Sequence, residues 1–357
     1  MKNRIRRIVS LLEKENLDAL LVNFQPNVRY LSGYDGTNGL VVLASDKRLF
    51  ITDFRYQEQA QKEVKDLKLH FAQRELIYDL AKFKFLQKRN QRIGFEANHT
   101  SYSTVQKLKE IIPNALLVPT ENLVESLLII KDKGEVAKIE KAAQITDKTF
   151  SHILDLVKPG VREKDLAAEI EHSFKRMGGD GAAFSTIVAS GYRSSMPHGR
   201  ASEKKLKVGE FVTFDMGAIY QGYVSDMTRT LVLGKATLKQ RKIYSLVLSA
   251  QTKAISRAKA GISGMELDKV AREVIAKAGY GKYFGHGLGH GLGLEVHSGP
   301  MVNARSKTIL KPGMVITIEP GIYIPGWGGV RIEDDVLITA RGCKVLNQSP
   351  KNLIEIR

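Results

Sequence analysis

Cysteine and long apolar runs are scarce in this chain of 357 residues. The one cysteine, Cys343, excludes an intrachain disulfide and favours a reducing compartment. No apolar stretch approaches the roughly 18 residues that a membrane-spanning helix requires. Near the start, Glu13 interrupts the apolar stretch before the core of a signal peptide could form. These absences predict a cytoplasmic protein that does not contact a membrane.

Motifs of several enzyme classes are also missing. The sequence contains no HExxH zinc motif and no GxSxG nucleophile elbow, and the glycines of residues 285–293 lack the spacing of a GxGxxG loop. Cys343 has no neighbouring histidine that could activate its thiol. Nucleophilic catalysis is therefore disfavoured.

The chain has little negative charge, and its formal net charge of +17 raises the question of nucleic-acid binding. The basic residues, however, are scattered along predicted helices such as EVAKIEKAAQITDKTF and do not form a stripe with aromatic residues. This distribution predicts a solvated basic surface and no nucleic-acid partner. A composition of 43% hydrophobic and 26% charged residues is typical of a globular protein, and the length allows two domains.

The pattern of helix-like and strand-like segments predicts a two-domain α/β protein. In residues 1–123, the helical pattern of RIRRIVSLLEKEN alternates with the short strand patterns DALLV and GLVVLA. We expect one domain over residues 1–123 and a second over residues 124–357, with LVESLLII as the connecting helix.

The second part contains an internal repeat. KPGVREKDL (158–166) matches KAGISGMEL (259–267), and LKVGEFVTFD (206–215) matches LKPGMVITIE (310–319). In the second copy, Ser263 and Glu266 have the spacing of a helix capping box. The order helix, helix, strand thus recurs, which predicts two fused copies related by a pseudo-two-fold axis. A site on that axis would receive a carboxylate from each copy.

Each copy carries a second acidic residue beyond a predicted hairpin, so four acids are expected on one interior face: Asp215, Asp226, Glu319 and Glu333. Two buried carboxylates at about 4 Å repel each other by roughly 4 kcal/mol at an effective dielectric constant near 20. Two divalent cations would neutralise the four charges. Oxygen-rich ligands with a histidine favour Mn²⁺, with Co²⁺ or Zn²⁺ as alternatives.

Histidines accompany the acids, at positions 198, 286, 290 and 297. In the run GHGLGHGLG, every second residue is glycine, so an extended chain would have one bare face that another strand or a substrate could approach closely. His286 and His290 would lie on the opposite face. One of the two could bind a metal directly while the other serves an outer role.

Five segments together resemble the pita-bread metallopeptidases, and in particular the bacterial Xaa-Pro peptidases, aminopeptidase P and prolidase. These segments are SSMPHG (194–199), FDMGAIYQGYVSDMTRT (214–230), GHGLGHGLGLEVH (285–297), TIEPGIYIPG (317–326) and GVRIEDDV (329–336). In the first part, ITDFRYQEQA (51–60) resembles the creatinase-like N-terminal domain of the same enzymes. The resemblance implies a creatinase-like domain followed by a pita-bread catalytic domain.

The resemblance also implies the roles of individual residues. Asp226 and Glu333 would bridge two metals, Asp215 would hold one of them, and His290 with Glu319 would hold the other. Catalytic roles are implied for His198, His297, Glu319 and Arg331, and substrate contacts for His198, His286, His297 and Tyr323. Arg331 and Tyr323 would also support the ligands.

The implied reaction is hydrolysis of the peptide bond before proline by a hydroxide that bridges the two metals, with Glu319 passing the proton to the proline nitrogen. The substrates would be small peptides with proline in second position, and the enzyme would be a homodimer. Aminopeptidase P, which accepts longer peptides, is preferred here over prolidase, which is restricted to dipeptides. A more distant alternative is a non-catalytic pita-bread binding protein.

One position departs from the family pattern. Ser298 follows His297 where the family usually has an acidic residue. Metal binding does not depend on this position, but it bears on the orientation of His297 and on recognition of a charged substrate end.

Overall fold

The computed structural model describes residues 2–357. The chain divides into two compact units, residues 1–128 and residues 129–357. The expected boundary near residue 123 lies just before a short helix, Glu125–Leu128, which belongs to the first unit. No helix within residues 2–357 is long and apolar enough to span a membrane.

The helices fall into two groups. The first unit contains α1 (Lys2–Lys14), α2 (Gln25–Ser32), α3 (Gln57–Glu63), α4 (Tyr102–Ile111) and α5 (Glu125–Leu128). The second contains α6 (Lys133–Leu154), α7 (Glu163–Arg176), α8 (Leu238–Arg257) and α9 (Gly264–Lys277). Short 3₁₀ helices are found at Phe54–Tyr56, Leu76–Lys82, Lys84–Leu86, Gly191–Ser195 and Gly281–Tyr283.

The first unit is built on a six-stranded mixed sheet with the order β4-β3-β2-β1-β5-β6. The predicted strands DALLV and GLVVLA are confirmed as the buried central strands β1 and β2. Their apolar residues supply much of the core of this unit. The strands are β1 (Ala19–Val22), β2 (Leu40–Ala44), β3 (Arg48–Asp53), β4 (Lys68–Ala72), β5 (Arg92–Glu96) and β6 (Leu116–Thr120).

Two sheets dominate the second unit, with the orders β20-β12-β9-β8 and β14-β13-β15-β18-β19. A three-stranded sheet, β11-β10-β7, and the hairpin β16-β17 complete it. The strands are β7 (Gly181–Ala182), β8 (Ile187–Ser190), β9 (Phe211–Met216), β10 (Ala218–Tyr220), β11 (Tyr223–Val224), β12 (Met227–Leu233), β13 (Gly289–Gly291), β14 (Ser298–Val302), β15 (Val315–Ile318), β16 (Gly321–Ile324), β17 (Gly328–Arg331), β18 (Asp334–Ile338), β19 (Cys343–Val345) and β20 (Glu355–Ile356).

The internal repeat is confirmed at the level of single backbone hydrogen bonds. Glu163 N donates to Lys204 O at 3.0 Å, and Gly264 N donates to Thr308 O at 3.0 Å. The same relation holds for Gly160 N to Leu206 O at 2.9 Å and Gly261 N to Leu310 O at 3.0 Å. In the second copy, Ser263 and Glu266 form the predicted capping box at the start of α9.

Each copy packs its pair of helices on one face of its own sheet. In the first copy, Phe150 of α6, Phe174 of α7 and Phe214 of β9 belong to one buried apolar cluster. In the second, α8 and α9 pack in the same way against residues such as Ile316 of β15. Because side chains alternate along a strand, Asp215 points away from the helices that Phe214 contacts. The apolar face therefore builds the core while the other face is free for acidic residues.

Candidate metal centre

The four predicted acidic residues meet in one cavity of about 460 Å³. Asp215 lies in β9 and Asp226 directly precedes β12, while Glu319 directly follows β15 and Glu333 directly precedes β18. Strands β9 and β12 pair with each other in one sheet, and β15 and β18 pair in the other. Each copy of the repeat therefore brings two carboxylates to the same cavity from paired strands.

The tightest group of possible ligands consists of Asp226, His290 and Glu333. All three are buried, and one ligand atom from each lies within 4.8 Å of the others. His290 Nε2 is 3.8 Å from Asp226 Oδ2 and 3.4 Å from Glu319 Oε1. The imidazole thus lies between an acid from the first copy and an acid from the second.

The glycine run explains how His290 reaches this position. A Cβ atom at Gly289 would lie 2.1 Å from Thr317 O, and one at Gly291 would lie 2.0 Å from Gly299 O, so both positions require glycine. His290 N donates to Thr317 Oγ1 at 3.1 Å, and Thr317 Oγ1 donates to Glu319 Oε1 at 3.2 Å. The close approach of neighbouring strands is as predicted, but the extended strand covers only Gly289–Gly291.

On the other side of the cavity, Arg331 connects the acids of both copies. Its Nη2 donates to Asp215 Oδ2 at 2.6 Å, and its Nε donates to Thr228 Oγ1 at 2.9 Å. Thr228 Oγ1 in turn donates to Glu333 Oε2 at 2.6 Å. The buried guanidinium thereby offsets part of the negative charge and sets the direction of two carboxylates.

Tyr323 and His286 extend this network. Arg331 Nη1 donates to the Tyr323 hydroxyl at 2.9 Å, and that hydroxyl lies 2.9 Å from His286 Nε2. His286 Nδ1 lies 2.7 Å from Gly287 O. His286 lines the cavity, whereas the Tyr323 hydroxyl faces its two polar partners.

The two remaining histidines have unequal surroundings. The ring of His297 lies 4.3 Å from that of His290, between centroids. His198 is exposed on the cavity wall beside Pro197, whose carbonyl oxygen accepts a hydrogen bond from Arg331 Nη1 at 3.2 Å. All four predicted histidines therefore line the cavity with the acids.

Burial shifts the protonation of this group strongly. Burial, and then the charge of Glu333, raises the pKa of Asp226 well above its ordinary value, and Glu333 is shifted in the same direction. Burial raises the pKa of Glu319 to about 7. Burial, and then the neighbouring His297, lowers the pKa of His290 to about 4, so this imidazole is neutral at pH 7. Bound cations would reduce the repulsion among the acids and favour their ionised forms. The neutral imidazole of His290 is the form of histidine that binds a metal ion.

The residues present fit a site for divalent metal ions. Asp215 Oδ1 is buried and lacks a hydrogen-bond partner among the described residues 2–357. The donor set of four carboxylates and one neutral imidazole suits borderline to hard divalent cations. A cation beside Asp215 would satisfy the unpaired oxygen and reduce the repulsion among the acids.

Sequence reasoning missed three polar residues around this site. Thr228 links Arg331 to Glu333, and Asp335 Oδ2 accepts the backbone N–H of Asp226 at 3.0 Å. Glu163, fully buried, accepts hydrogen bonds from the segment that carries His198. Thr228 and Asp335 lie within the quoted motifs, each two residues after a predicted ligand, and this position is the feature that could have identified them.

Profile comparisons cover nearly the whole chain. Residues 137–340 match Metallopeptidase family M24, and residues 4–129 match the Creatinase/Prolidase N-terminal domain. The chain belongs to metallopeptidase family M24. The expected architecture, a creatinase-like domain followed by a pita-bread catalytic domain, is confirmed, as is the expectation of a metallopeptidase.

One curated protein and two solved structures are similar to this chain over nearly their full length. The Xaa-Pro dipeptidase of Pyrococcus furiosus is 41% identical over 356 residues, which are 99% of this chain and 100% of that protein. A solved structure of the Xaa-Pro dipeptidase from Bacillus anthracis has 43% identity and a TM-score of 0.96, covering 99% of both chains. The X-Pro aminopeptidase from Thermotoga maritima has 35% identity and a TM-score of 0.92, covering 99% of this chain and 100% of that one.

Proposed function

We propose that this M24 protein is a Xaa-Pro dipeptidase (prolidase). The observation that carries the proposal is full-length similarity to Xaa-Pro dipeptidases, at 41% and 43% identity, in a chain with a complete set of acidic and histidine donors. The motifs alone favoured aminopeptidase P, and the relatives support the dipeptidase better. The aminopeptidase stays as second candidate because of the similarity to the Thermotoga maritima enzyme.

In this proposal, Asp215, Asp226, His290, Glu319 and Glu333 hold two divalent cations, with Mn²⁺ best suited to the carboxylate-rich set. When bound, such cations lower the pKa of water and polarise a carbonyl oxygen. Arg331 donates to Asp215 and Thr228 donates to Glu333, while Thr228 and Tyr323 accept hydrogen bonds from Arg331 and so fix its guanidinium. Supporting partners of this kind orient ligands and tune their basicity.

Proton transfer is assigned to Glu319. Thr317 donates to its Oε1 at 3.2 Å, which leaves Oε2 to take a proton from the attacking water. A carboxylate within reach of the attacking water can accept its proton and pass it on to the leaving group. The leaving group is the nitrogen of proline itself, which belongs to a tertiary amide without N–H and must receive a proton to depart.

Substrate contacts are assigned to the histidines. His198 and His297 line the cavity on which the acids converge and can donate to the developing oxyanion or hold the proline side of the substrate. His286, whose pKa is lowered to about 4 by burial, is neutral and contacts Tyr323. His286 is therefore assigned to shaping the cavity beside His198 and His297.

The native metal, the oligomeric state and the location complete the proposal. Mn²⁺, a homodimer and a cytoplasmic enzyme remain the predictions, supported by the donor chemistry and by the resemblance to Xaa-Pro peptidases. Metal analysis of the protein as purified and light scattering in solution measure the first two.

The experiment that separates the two candidate functions compares Leu-Pro with Leu-Pro-Gly in the presence of Mn²⁺. We expect kcat/KM to be much higher for the dipeptide, because a dipeptidase recognises the free carboxylate of proline. Asp226→Asn is the control, since loss of a buried ligand should abolish both metal loading and cleavage. Cleavage of the tripeptide at an equal or higher rate would identify the protein as an aminopeptidase P instead.

A further inference from the structure

Two arginines line the cavity, and they differ in what they contact. Arg331 is buried, and its three nitrogens donate to Asp215, Thr228, Tyr323 and the carbonyl oxygen of Pro197. Arg200 is exposed at the cavity wall, and within residues 2–357 its guanidinium has no hydrogen bond or ion pair. Arg200 is thus the permanent cation of the cavity lining that is available to a ligand.

The backbone around Arg200 is held by a buried carboxylate. We call residues 190–202, which carry His198, the His198 loop. Arg193 Nη2 donates to Arg200 O at 2.6 Å, and Arg193 Nε donates to Glu163 Oε2 at 3.0 Å. Ser202 N and Oγ donate to the same Glu163 Oε2 at 3.1 and 2.6 Å. The loop is therefore tied down on both sides of Arg200, which lowers the entropy cost of binding a ligand there.

This anchor exists in one copy of the repeat only. The position equivalent to Glu163 in the second copy is Gly264, where a Cβ atom would lie 2.6 Å from Met301 O. The cavity wall on that side carries Met301 and Asn303, which are uncharged. The repeat therefore places a fixed cation on the side of His198 and none on the side of Met301.

We propose that Arg200 binds the free carboxylate of the proline in a Xaa-Pro dipeptide and so determines the preference for dipeptides. The inference rests on the proposed dipeptidase function. A guanidinium matches a carboxylate with two parallel N–H donors and keeps its charge at every working pH. Arg200 lies in the same loop as His198 and lines the same cavity as the four acids, so a carboxylate bound to Arg200 orients the substrate with its proline end toward the His198 loop.

The test uses Leu-Pro and Leu-prolinamide, which differ only in the terminal group, a charged carboxylate in the first and a neutral amide in the second. For Arg200→Gln we expect the KM for Leu-Pro to rise about tenfold, the loss of one charge-assisted contact at a solvent-accessible site. The KM for the amide and the kcat for both substrates should stay at their wild-type values. Arg200→Lys, which keeps the charge without the planar fork, should recover part of the affinity for Leu-Pro.

Arg257→Gln is the matched control, because Arg257 is exposed at the end of α8, outside the cavity lining, and its loss changes the net charge equally. An unchanged KM for Leu-Pro in Arg200→Gln, or an equal rise for the amide, overturns the inference and leaves the dipeptidase function standing. A wild-type enzyme that cleaves neither substrate overturns the proposed function itself. Metal content of each variant confirms that the centre is intact.

Discussion

Arg331 is a buried cation that links acids of the two copies through hydrogen bonds. It binds Asp215 from the first copy and, through Thr228, reaches Glu333 from the second. A lysine could supply the charge but not five donors in a rigid planar arrangement. Its position in β17 thus explains how a single cation can orient carboxylates that belong to different sheets.

Glu319 gives a pH dependence that can be measured at the level of one residue. Burial raises its pKa from 4.5 to about 7 in the folded protein. Its contribution to stability in the metal-free protein is therefore fully present below about pH 4.5 and is lost as the pH rises through about 7. Glutamine, which cannot ionise, avoids this loss.

We therefore expect Glu319→Gln to raise the Tm of the chelated protein at about pH 8 and to change it much less at about pH 5. Thermal unfolding in the presence of a chelator at both values measures the difference. Glu171→Gln, at an exposed position of α7, serves as control and should show no such pH-dependent gain. An equal change in Tm at both pH values for Glu319→Gln would contradict the prediction.

At the scale of elements, the glycines of β13 are required for close packing. A Cβ atom at Gly291 would meet backbone atoms of Gly299 at 2.0 and 2.4 Å, and backbone cannot move aside cheaply. Gly285, in the same glycine run, has no atom within 4 Å of such a Cβ. The two positions therefore form a matched pair within one segment.

For Gly291→Ala we expect a loss of stability of about 1–3 kcal/mol, the usual cost of overpacking, together with weaker metal binding because His290 is adjacent. Gly285→Ala should change neither. Chemical denaturation gives the free energy of unfolding, and a metal titration gives the affinity. Equal behaviour of the two variants would argue against strand packing as the role of Gly291.

The repeated strands were the elements that the sequence predicted best. LKVGEFVTFD and LKPGMVITIE contain β9 and β15, and their terminal acids lie in one cavity as expected. The glycine run was predicted as extended over residues 285–293, yet only Gly289–Gly291 forms a strand. Glycine spacing shows where a neighbour can approach, but the neighbour itself decides which glycines pair, and that depends on tertiary structure.

Polar contacts between different strands, helices and loops could not be predicted from the sequence. Thr228 lies opposite Asp215 in the pairing of β9 with β12, and this register is not visible in the sequence. Glu163 reads as an ordinary acid in the first turn of a helix, a position that the helix dipole favours in any case. Its real partners, Ser190, Arg193 and Ser202, come from a loop whose path the sequence does not specify.

At the scale of the whole molecule, every residue of the candidate centre lies in the second compact unit. A ligand that binds the folded state stabilises it by about 2.7 kcal/mol when its concentration is 100 times its Kd. Metal binding should therefore lower the rate of amide hydrogen exchange in the two large sheets of residues 129–357. The sheet of residues 1–128 contributes no ligand to the proposed metal centre.

We expect chelation to increase amide hydrogen exchange in β9, β12, β15 and β18 and to leave exchange in β1, β2 and β5 unchanged. Exchange followed by mass spectrometry with and without Mn²⁺ measures both regions in one experiment. Asp226→Asn, which should not load metal, should show high exchange under either condition. An equal increase of amide exchange in both units would contradict the prediction that metal binding stabilises only residues 129–357.

The anchoring of the His198 loop has a consequence for how such a protein can diversify. The His198 loop is held by hydrogen bonds to Glu163 and from Arg331, and neither of these residues is among the five proposed metal ligands. Exposed positions of the loop other than His198, such as residue 200, can therefore be exchanged without disturbing the metal ligands. Selection can act on the choice of substrate and on the chemistry as separate traits, and a designer who wants a new substrate has a segment to vary while the metal ligands are left untouched.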